Sequence, residues 1–546
     1  MYRLILIIAL LGLCSTAPLL AQTGGDLPPL EIENVTVVGK RVVVLPKARK
    51  GEVIDTSIYL LPPGDTMLFG ERISNLAGTP GSLPAYREYD LPLKTDAELS
   101  IGSYLSPRAL VNLEYTRRTF NLGGRFDYRA TAGHIDSAEA SSLLIGAHGS
   151  ILLGDDVQPL RGLRIGGEVE HLGDGYYLYG NSVDRFDRSR TGNQGSIVFK
   201  SEEELPIGYR VRLHVEGTSV EDTRPDTTFE ASSLSPSLDL DLGGVIDTAW
   251  GFRVKAGLVS TSLRYADPAN TPLYLMLQGD AEWHLAPATF ITGGIVLANG
   301  ENSDSGSSSL IMPRVSIRHE LGTRLSLFGW FAPELRAANY REMIMSAPYV
   351  ERDITLRPER VPVRLAAGVR ADLDGMMVEA RGIFEKAENT PVVVAIGAPG
   401  ELRYAYVSST TVGAQANARF SISPALTVDA DALLRSKSDS NDNQLPMTPA
   451  LDLRGRIDFA LNTRINLFGS LLYQTDQRTA LSDSGSTTGQ LTIPARMLLG
   501  GGASYRFLEN IEAFAEISNL LGYSYDLWQN YSAPGFEIRI GARGTF

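Results

Sequence analysis

The chain has 546 residues, of which 43% are hydrophobic and 21% are charged, and its formal net charge is −13. An acidic balance of this size argues against nucleic acid as a partner, because a nucleic-acid-binding chain needs a basic surface. No stretch approaches the roughly 18 consecutive apolar residues of a membrane-spanning helix, which excludes a helical membrane protein.

Residues 1–21 have the features of a secretory signal peptide. Arg3 precedes an apolar run from Leu4 to Leu13, and the small residue Ala21 ends the segment. The apolar run is too short to span a membrane, and we expect cleavage after Ala21. Cys14 is the only cysteine of the chain. The mature protein is therefore expected to contain no cysteine and to form no disulfide.

Residues 22–94 are rich in proline and glycine and show no sustained hydrophobic period. Frequent proline and glycine residues are typical of irregular structure rather than of a packed domain. We predict an irregular periplasmic segment with at most one or two short strands.

Residues 95–546 follow the two-residue period of β-strands. In Val361–Ala371, apolar residues alternate with polar ones that include Arg364 and Arg370. The terminal stretch Phe536–Phe546 also has one apolar and one polar face. A tilted strand of about 9–11 residues crosses a bilayer. We predict an all-β fold, a transmembrane antiparallel β-barrel of about 22 strands whose apolar faces meet lipid.

The connections between the predicted strands alternate in length, which a soluble sandwich has no reason to maintain. The connections predicted to be long include Leu521–Gly535, Gln477–Pro494, Asn389–Ser409 and Thr218–Ser232. The tight connections between them include Leu508–Asn510, Asn462–Arg464 and Leu373–Gly375. Short periplasmic turns and long extracellular loops are typical of outer-membrane barrels. This parity predicts an even number of strands and places both ends of the barrel in the periplasm.

Charged residues on the polar faces of the last strands would line the lumen. They are Arg496, Arg506, Glu512, Glu516, Glu537, Arg539 and Arg543. Bracing of neighbouring strands by opposite charges is the simpler explanation for all of them.

Aromatic residues lie near the predicted strand ends. The four tryptophans are Trp250, Trp283, Trp330 and Trp528, and an aromatic girdle at the membrane interface explains them without a ligand. In a predicted outer loop, Tyr176, Tyr177 and Tyr179 could alternatively stack on a sugar.

No motif indicates catalysis or cofactor binding. The six histidines are scattered, with no two at a metal-ligand spacing. The pair Asp155–Asp156 lies at a predicted turn without a partner base or nucleophile. Gly500–Gly502 lies inside a predicted strand, which favours close packing over phosphate binding. We therefore predict a protein that is not an enzyme and that holds no metal and no cofactor.

The C-terminal region resembles the closing strands of TonB-dependent outer-membrane receptors. The residues that carry the resemblance are Asn519, Leu520, Tyr525, Pro534, Gly535 and Phe546. Glu31–Arg41 resembles the short segment that opens mature receptors and touches TonB, and the implied contact residues are Val35, Thr36, Val37, Val38 and Gly39. A strand of that kind can add to a partner's sheet edge, although a plain linker strand is the alternative. The resemblance implies a 22-stranded barrel that imports solutes with energy from the inner membrane.

The sequence departs from this family before the barrel begins. Receptors of the family carry a folded plug domain, whereas residues 22–94 are too few for one and show none of its motifs. A barrel of this size is wide enough to need filling. We expect the lumen to hold the chain's own N-terminal segment, inward-folded loops or a separate protein.

These features predict an outer-membrane receptor or transporter barrel that binds or moves a solute. A passive porin-like channel, or a structural or secretion-platform barrel that holds a partner protein, is the alternative. The expected partners are outer-membrane lipid, the barrel-assembly machinery through the C-terminal strand, an unidentified solute, and TonB or a separate plug or periplasmic protein. We expect the outer membrane of a Gram-negative-type bacterium as its location.

Overall fold

The computed structural model describes residues 93–117, 119–153, 162–180, 185–201, 207–246, 249–265, 271–395, 400–479 and 492–546. The predicted signal peptide, nearly all of the predicted irregular segment and the expected TonB-contact residues Val35–Gly39 lie outside these described residues.

The described residues form strands throughout, with one short helix. The strands are β1 (Leu93–Gly102), β2 (Ser106–Thr116), β3 (Phe120–Thr131), β4 (Ala140–Leu152), β5 (Leu163–Tyr177), β6 (Asp187–Ser201), β7 (Ile207–Arg224), β8 (Thr227–Val245), β9 (Trp250–Ser260), β10 (Ser262–Arg264), β11 (Leu273–Ala286), β12 (Thr289–Glu301), β13 (Ser307–Leu321), β14 (Leu325–Phe331), β15 (Glu334–Arg336), β16 (Glu359–Leu373), β17 (Met376–Ala395), β18 (Leu402–Ser423), β19 (Leu426–Asp439), β20 (Leu451–Ala460), β21 (Ile465–Gln474), β22 (Gln477–Arg478), β23 (Thr492–Ile493), β24 (Arg496–Leu508), β25 (Ile511–Ser518), β26 (Asp526–Trp528), β27 (Tyr531–Ser532) and β28 (Glu537–Thr545). The helix is α1 (Tyr340–Ser346).

The strands form one closed antiparallel barrel, as the sequence predicts. Its wall has 22 strand positions, each of which we call a stave. The short strands β10 and β15 continue β9 and β14, and each stave pairs with its neighbours along the chain. The ladder between β1 and β28 closes the barrel, from Asp96 opposite Thr545 to Gly102 opposite Arg539. Beyond it, the backbone amides of Thr95 and Phe546 each donate to the other's carbonyl at 2.8 Å.

The two faces of the staves have the predicted chemistry. In β28, Ile538 and Ile540 are 44% and 54% exposed on the outer face, while Arg539 and Arg543 alternate with them. Large exposed apolar side chains recur in the same way around the barrel. Outside a membrane such a band would be unfavourable, so it marks the lipid-facing surface.

Two connections predicted to be long loops are instead paired strands, so those predictions are wrong. Thr218–Ser232 lies in the ladder of β7 and β8, which turns tightly at Pro225 and Asp226. Asn389–Ser409 lies largely in the ladder of β17 and β18. These hairpins have strands of 18 to 22 residues, whereas about 9–11 residues cross a bilayer. Beyond the membrane a strand needs no apolar outer face, so the alternating pattern disappears while the pairing continues.

The connection 337–358, between β15 and β16, contains α1. The side-chain oxygen of Asn339 accepts a hydrogen bond from the backbone amide of Glu342 at 3.0 Å, which caps the helix start. Tyr340, Met343 and Ile344 form its buried face. Among the described residues, no helix is long and apolar enough to cross a membrane.

The glycine run Gly500–Gly502 lies inside β24, where neighbouring strands approach it closely. A Cβ atom added at Gly502 would lie 2.6 Å from the carbonyl oxygen of Ala515 and 2.6 Å from the ring of Phe468. The same atom added at Gly469, on the neighbouring β21, would meet nothing within 4 Å. The glycine at 502 is therefore required by packing.

Gly502→Ala should destabilise the barrel, because the added methyl group overlaps the backbone of β25 and overpacking of this kind costs about 1–3 kcal/mol. Gly469→Ala is the matched control and should change the free energy of unfolding by no more than about 0.5 kcal/mol. Urea unfolding, followed by the folded fraction on unheated gels, measures both. Equal effects of the two substitutions would contradict this packing.

Candidate functional site

The extracellular connections converge on a buried cluster, which we call the loop cap. It consists of residues 337–358, residues 519–536 and the outer tips of β7, β8, β17 and β18. Its buried apolar residues include Tyr340, Met343, Ile344, Val350, Ile354, Leu356, Leu527, Trp528 and Tyr531. They pack against Val220, Ala231, Val393 and Leu402 of the strand tips. The hydrophobic core of this membrane protein thus lies inside the mouth of its own barrel.

Helix α1 enters the lumen rather than resting on the rim. Arg341 contacts Glu170 at 3.1 Å and donates to the side-chain oxygen of Gln194 at 3.2 Å. Glu170 belongs to β5, well below the extracellular end of that strand at Tyr177. The adjacent Val169 is 60% exposed on the lipid face, so Glu170 points to the lumen. Arg341 therefore crosses the lumenal face of the wall.

A glycine makes room for this crossing. A Cβ atom added at Gly192 of β6 would lie 3.4 Å from the guanidinium carbon of Arg341. A methyl group at Gly192 would therefore touch the arginine, and a longer side chain would compete with it for the same space. The sequence reasoning assigned no role to either residue.

A buried ion pair holds the next part of the connection. Arg188 of β6 is 1% exposed and donates to both carboxylate oxygens of Asp222, at 2.6 and 2.9 Å. Its remaining terminal nitrogen donates to the carbonyl oxygens of Pro348 and Val350, at 3.0 and 2.6 Å. Arg352 approaches the same Asp222 at 3.1 Å. The bidentate pair fixes the orientation of the Arg188 guanidinium. Its bonds to the two carbonyls, together with the Arg352–Asp222 pair, hold residues 348–352 against the wall.

Other wall side chains donate to backbone carbonyls of the connection. Arg190 reaches Ile344 at 2.7 Å, Tyr176 reaches Pro348 at 2.7 Å, and Tyr404 reaches Met343 at 2.9 Å. Tyr265 and Tyr406 donate to the carbonyls of Ile354 and Thr355. The last carbonyls of a helix have no partner within it. The wall supplies hydrogen-bond donors for carbonyls of α1 and for other backbone carbonyls of the connection.

Two of the tyrosines that suggested a sugar platform contact the loop cap. Tyr176 and Tyr179 each lie edge-on to Tyr349, with ring centroids 5.9 Å apart. Tyr349 in turn stacks on Tyr531 at 3.8 Å. The four rings therefore pack against one another. Tyr177 lies at the end of β5.

The connection 519–536 carries most of the residues of the C-terminal resemblance. Asn519 has a φ of 47° and donates to the carbonyl oxygens of Tyr523 and Pro534, at 2.8 and 3.3 Å. Tyr525 lies 5.3 Å from the guanidinium of Arg496. These contacts fold the connection back on itself.

The remaining residues that carry the C-terminal resemblance lie near the ends of this connection or at the end of β28. Leu520 is 54% exposed, and a Cβ added at Gly535 would lie 3.5 Å from the carbonyl oxygen of Gly522. Phe546 is 52% exposed at the barrel seam.

The tryptophan prediction holds for one pair and is wrong for the other. Trp250 and Trp283 stack at 5.4 Å on the lipid-facing periplasmic ends of their strands, as a girdle requires. Trp330 instead lies under Arg364 in the lumen, at 5.0 Å, and Trp528 is fully buried in the loop cap. A position near a strand end does not reveal which face the side chain occupies.

The predicted lumen residues of the last strands share one side of the wall. Arg543 contacts Glu98 and Glu516 at 2.8 Å each and lies 3.9 Å above the ring of Phe514. Arg496 donates to Gln474 at 2.8 Å. The other members stand opposite one another in register, Arg506 with Glu512, Arg539 with Glu516, and Glu537 with Ser518. These contacts join neighbouring staves to one another and β28 to β1.

Burial also perturbs titrating groups of the loop cap. Burial raises the pKa of the Glu342 carboxyl, and the negative charge of Glu216 acts in the same direction. Burial raises the pKa of Glu351 as well. The pKa of His134, beside Ser532 in the loop cap, is lowered by burial. Within the described ranges, no three His, Cys, Asp or Glu side chains are grouped so as to hold a metal ion.

Solved structures with the same architecture are found, although no protein-family model and no curated protein matches the chain. The FrpB iron transporter from Neisseria meningitidis has a TM-score of 0.67 at 9% identity, over 84% of this chain and 82% of that one. The siderophore receptor PirA from Acinetobacter baumannii has 0.65 at 11%, over 84% and 81%. The copper transporter OprC has 0.64 at 13%, over 83% and 80%.

The chain has the barrel fold of TonB-dependent outer-membrane receptors. At these identities the likeness concerns the receptor barrel alone, and the cargoes in those titles belong to those proteins. The resemblance seen in the C-terminal sequence therefore extends, as a fold, to the whole barrel.

Arg188→Gln should release residues 340–356 from the wall of the receptor barrel. The substitution leaves Asp222 buried without its bidentate partner, and breaking a buried pair of this kind costs about 3–5 kcal/mol. Amide hydrogen exchange should accelerate in 340–356 while the barrel strands keep their protection.

Arg419→Gln serves as the control, because its pair with Asp429 leaves the arginine side chain 51% exposed. Exposed pairs contribute about 0–1 kcal/mol, so exchange in 340–356 should not change. Unaltered exchange of that segment in Arg188→Gln would show that the ion pair does not hold it.

Proposed function

We propose that this protein is an outer-membrane solute receptor and transporter whose loop cap is the gate. Solute binds at the extracellular loops, and passage requires the connection 337–358 to leave the lumen. The observation that carries the proposal is the contact of Arg341 with Glu170, which places α1 against the lumenal wall well below the barrel mouth. The receptor-barrel fold and the long extracellular connections support it.

The kind of contact that holds 337–358 suits a gate. Its anchors include hydrogen bonds that wall side chains donate to backbone carbonyls, such as Arg190 to Ile344 and Tyr404 to Met343. A bond between neutral groups contributes only about 0.5–1.5 kcal/mol net, and one from a charged group about 1.5–3 kcal/mol. A ligand that prefers the released state can therefore shift the equilibrium by its differential affinity for the two states. A purely apolar plug would offer no comparable polar groups for exchange with a ligand.

A passive porin is the weaker alternative because the loop cap lies in the mouth. An open pore needs a continuous wet path, whereas Trp528, Tyr531 and Ile344 pack together there with almost no exposure. An always-open channel would require these side chains to be exposed to water.

The proposed location and partners rest on the outer surface of the barrel and on segments of the sequence. The apolar outer band supports insertion in the outer-membrane bilayer, and the segment 1–21 supports export by a cleaved signal peptide. The C-terminal strand β28 is the proposed signal for the barrel-assembly machinery. Val35–Gly39 is the proposed contact for TonB, and a separate plug or periplasmic protein is the alternative partner.

Planar-bilayer recording of the full-length protein tests the gate. Wild-type barrels should show no steady conductance, because the loop cap occupies the mouth. A variant that combines Arg188→Gln, Arg190→Gln and Arg341→Gln should open repeatedly, since it loses the wall contacts of 337–358. Arg419→Gln should remain silent. Steady ohmic conductance of the wild type would identify a passive channel instead, and a silent triple variant with exposed 340–356 would show that the connection is not the gate.

A further inference from the structure

Two carboxylates lie near each other where α1 of the loop cap meets the wall, and the contacts that hold the loop cap do not use them. Glu342 follows Arg341 in α1, and Glu216 lies on the lumenal face of β7, which α1 contacts. Glu216 stands opposite Gln194, the residue that Arg341 engages, so both carboxylates lie at one level of the lumen. Like charges brought together in this way disfavour each other.

In the described part of the chain, no ion pair joins either carboxylate to an arginine or a lysine. The charge of Arg336 acts on Glu342, but Arg336 already forms ion pairs with three other glutamates. The nearest basic atom to Glu216 is Nε2 of His214, 3.9 Å away. The neighbouring acids differ, since Glu170 is paired with Arg341 and Asp222 with Arg188. The wall therefore neutralises the carboxylates that anchor the loop cap and leaves Glu216 and Glu342 in excess.

Buried hydroxyl groups beside this pair also lack partners. Thr218 is the next lumenal residue after Glu216 on β7, and Ser233 of β8 stands directly opposite it. The two residues are 3% and 7% exposed, and neither hydroxyl oxygen has a hydrogen-bond partner among the residues that the structure describes. A buried hydroxyl without a partner costs free energy. Their position next to two carboxylates without an arginine or lysine partner points to a ligand that bonds to all four groups.

The chemistry of the four groups selects the ligand. Carboxylates only accept hydrogen bonds, and an ammonium group offers three donors and a positive charge. A calcium ion takes about 6–8 oxygen ligands, so it would need every oxygen of the two carboxylates and both hydroxyls at once, whereas an ammonium group needs only three acceptors. Part of the Glu342 side chain is accessible to solvent, so a solute can reach it. A cation at this place would relieve the repulsion between the carboxylates.

We propose that Glu216 and Glu342, with the hydroxyls of Thr218 and Ser233, bind the primary ammonium group of an organic cation in the lumen. As a statement about cargo this rests on the proposed function, because it assigns ammonium-bearing solutes to the gated path. As a statement about binding it does not need the gate to move.

Equilibrium dialysis of the detergent-solubilised full-length protein against labelled ethanolammonium tests the site, because both ends of the barrel then meet the buffer. Wild type should bind one equivalent, and tetramethylammonium, which has the charge but no N–H donors, should not compete. Glu216→Gln combined with Glu342→Gln should bind at least about tenfold more weakly, since it removes both charges. Glu114→Gln, a lumenal carboxylate on the distant β2, should bind as wild type does.

The thermal unfolding midpoint guards against a folding defect. Removal of two repelling charges should leave the midpoint of the unliganded double variant equal to or above that of wild type. Ethanolammonium should raise the midpoint of wild type and not that of the double variant. Undiminished binding by the double variant, absence of binding by wild type, or competition by calcium but not by methylammonium would overturn the proposal. Conductance recordings are independent, so failure of the site and failure of the gate are distinguishable.

Discussion

The constraint on which the rest of the structure depends is closure of a sheet around a lumen that its own wall cannot fill. Pairing of β1 with β28 removes every free strand edge, which a bilayer requires because it offers no water to unpaired backbone groups. Once 22 staves close, the lumenal side chains reach only part of the way across. The inner surface must then be solvated, filled by other protein, or covered at its mouth.

This chain covers the mouth with segments that the barrel already carries. The connection 337–358 supplies an apolar helix face, and the wall supplies donors for the carbonyls that the helix leaves unsatisfied. Arg188 both neutralises Asp222 and donates hydrogen bonds to the backbone carbonyls of residues 348 and 350. Packing and polar satisfaction therefore depend on the same few side chains. Whatever releases them would expose the whole cluster to water, which is the behaviour expected of a two-state gate.

The sequence was sufficient for the barrel because lipid imposes a local rule. Every stave must alternate, and the alternation in Phe536–Phe546 could be read without knowing its neighbours. The rule ends where the bilayer ends, which is why the β7–β8 and β17–β18 hairpins were predicted as loops. The turn at Pro225 resembles a loop in sequence because no apolar face is needed there.

The site could not be read in this way because its parts are far apart in the chain. Arg188, Asp222 and Val350 come together only after two staves and a connection from a distant part of the chain are in place. A charged residue near a strand end looks the same in sequence whether it braces the wall or holds a loop. Trp528 shows the same limit, since its burial depends on the folding of 519–536 over the mouth.

The central claim is that α1 lies inside the lumen against β6, and cysteine cross-linking on intact cells measures it directly. With Gly192→Cys and Arg341→Cys in one chain, a short bifunctional thiol reagent should join the two positions within a single protein. Glu114→Cys with Arg341→Cys should not react, because β2 lies elsewhere on the wall. Efficient cross-linking of the first pair alone is the predicted result. Failure of that pair to cross-link in a folded barrel, or equal reaction of both pairs, would contradict an inward-folded loop cap.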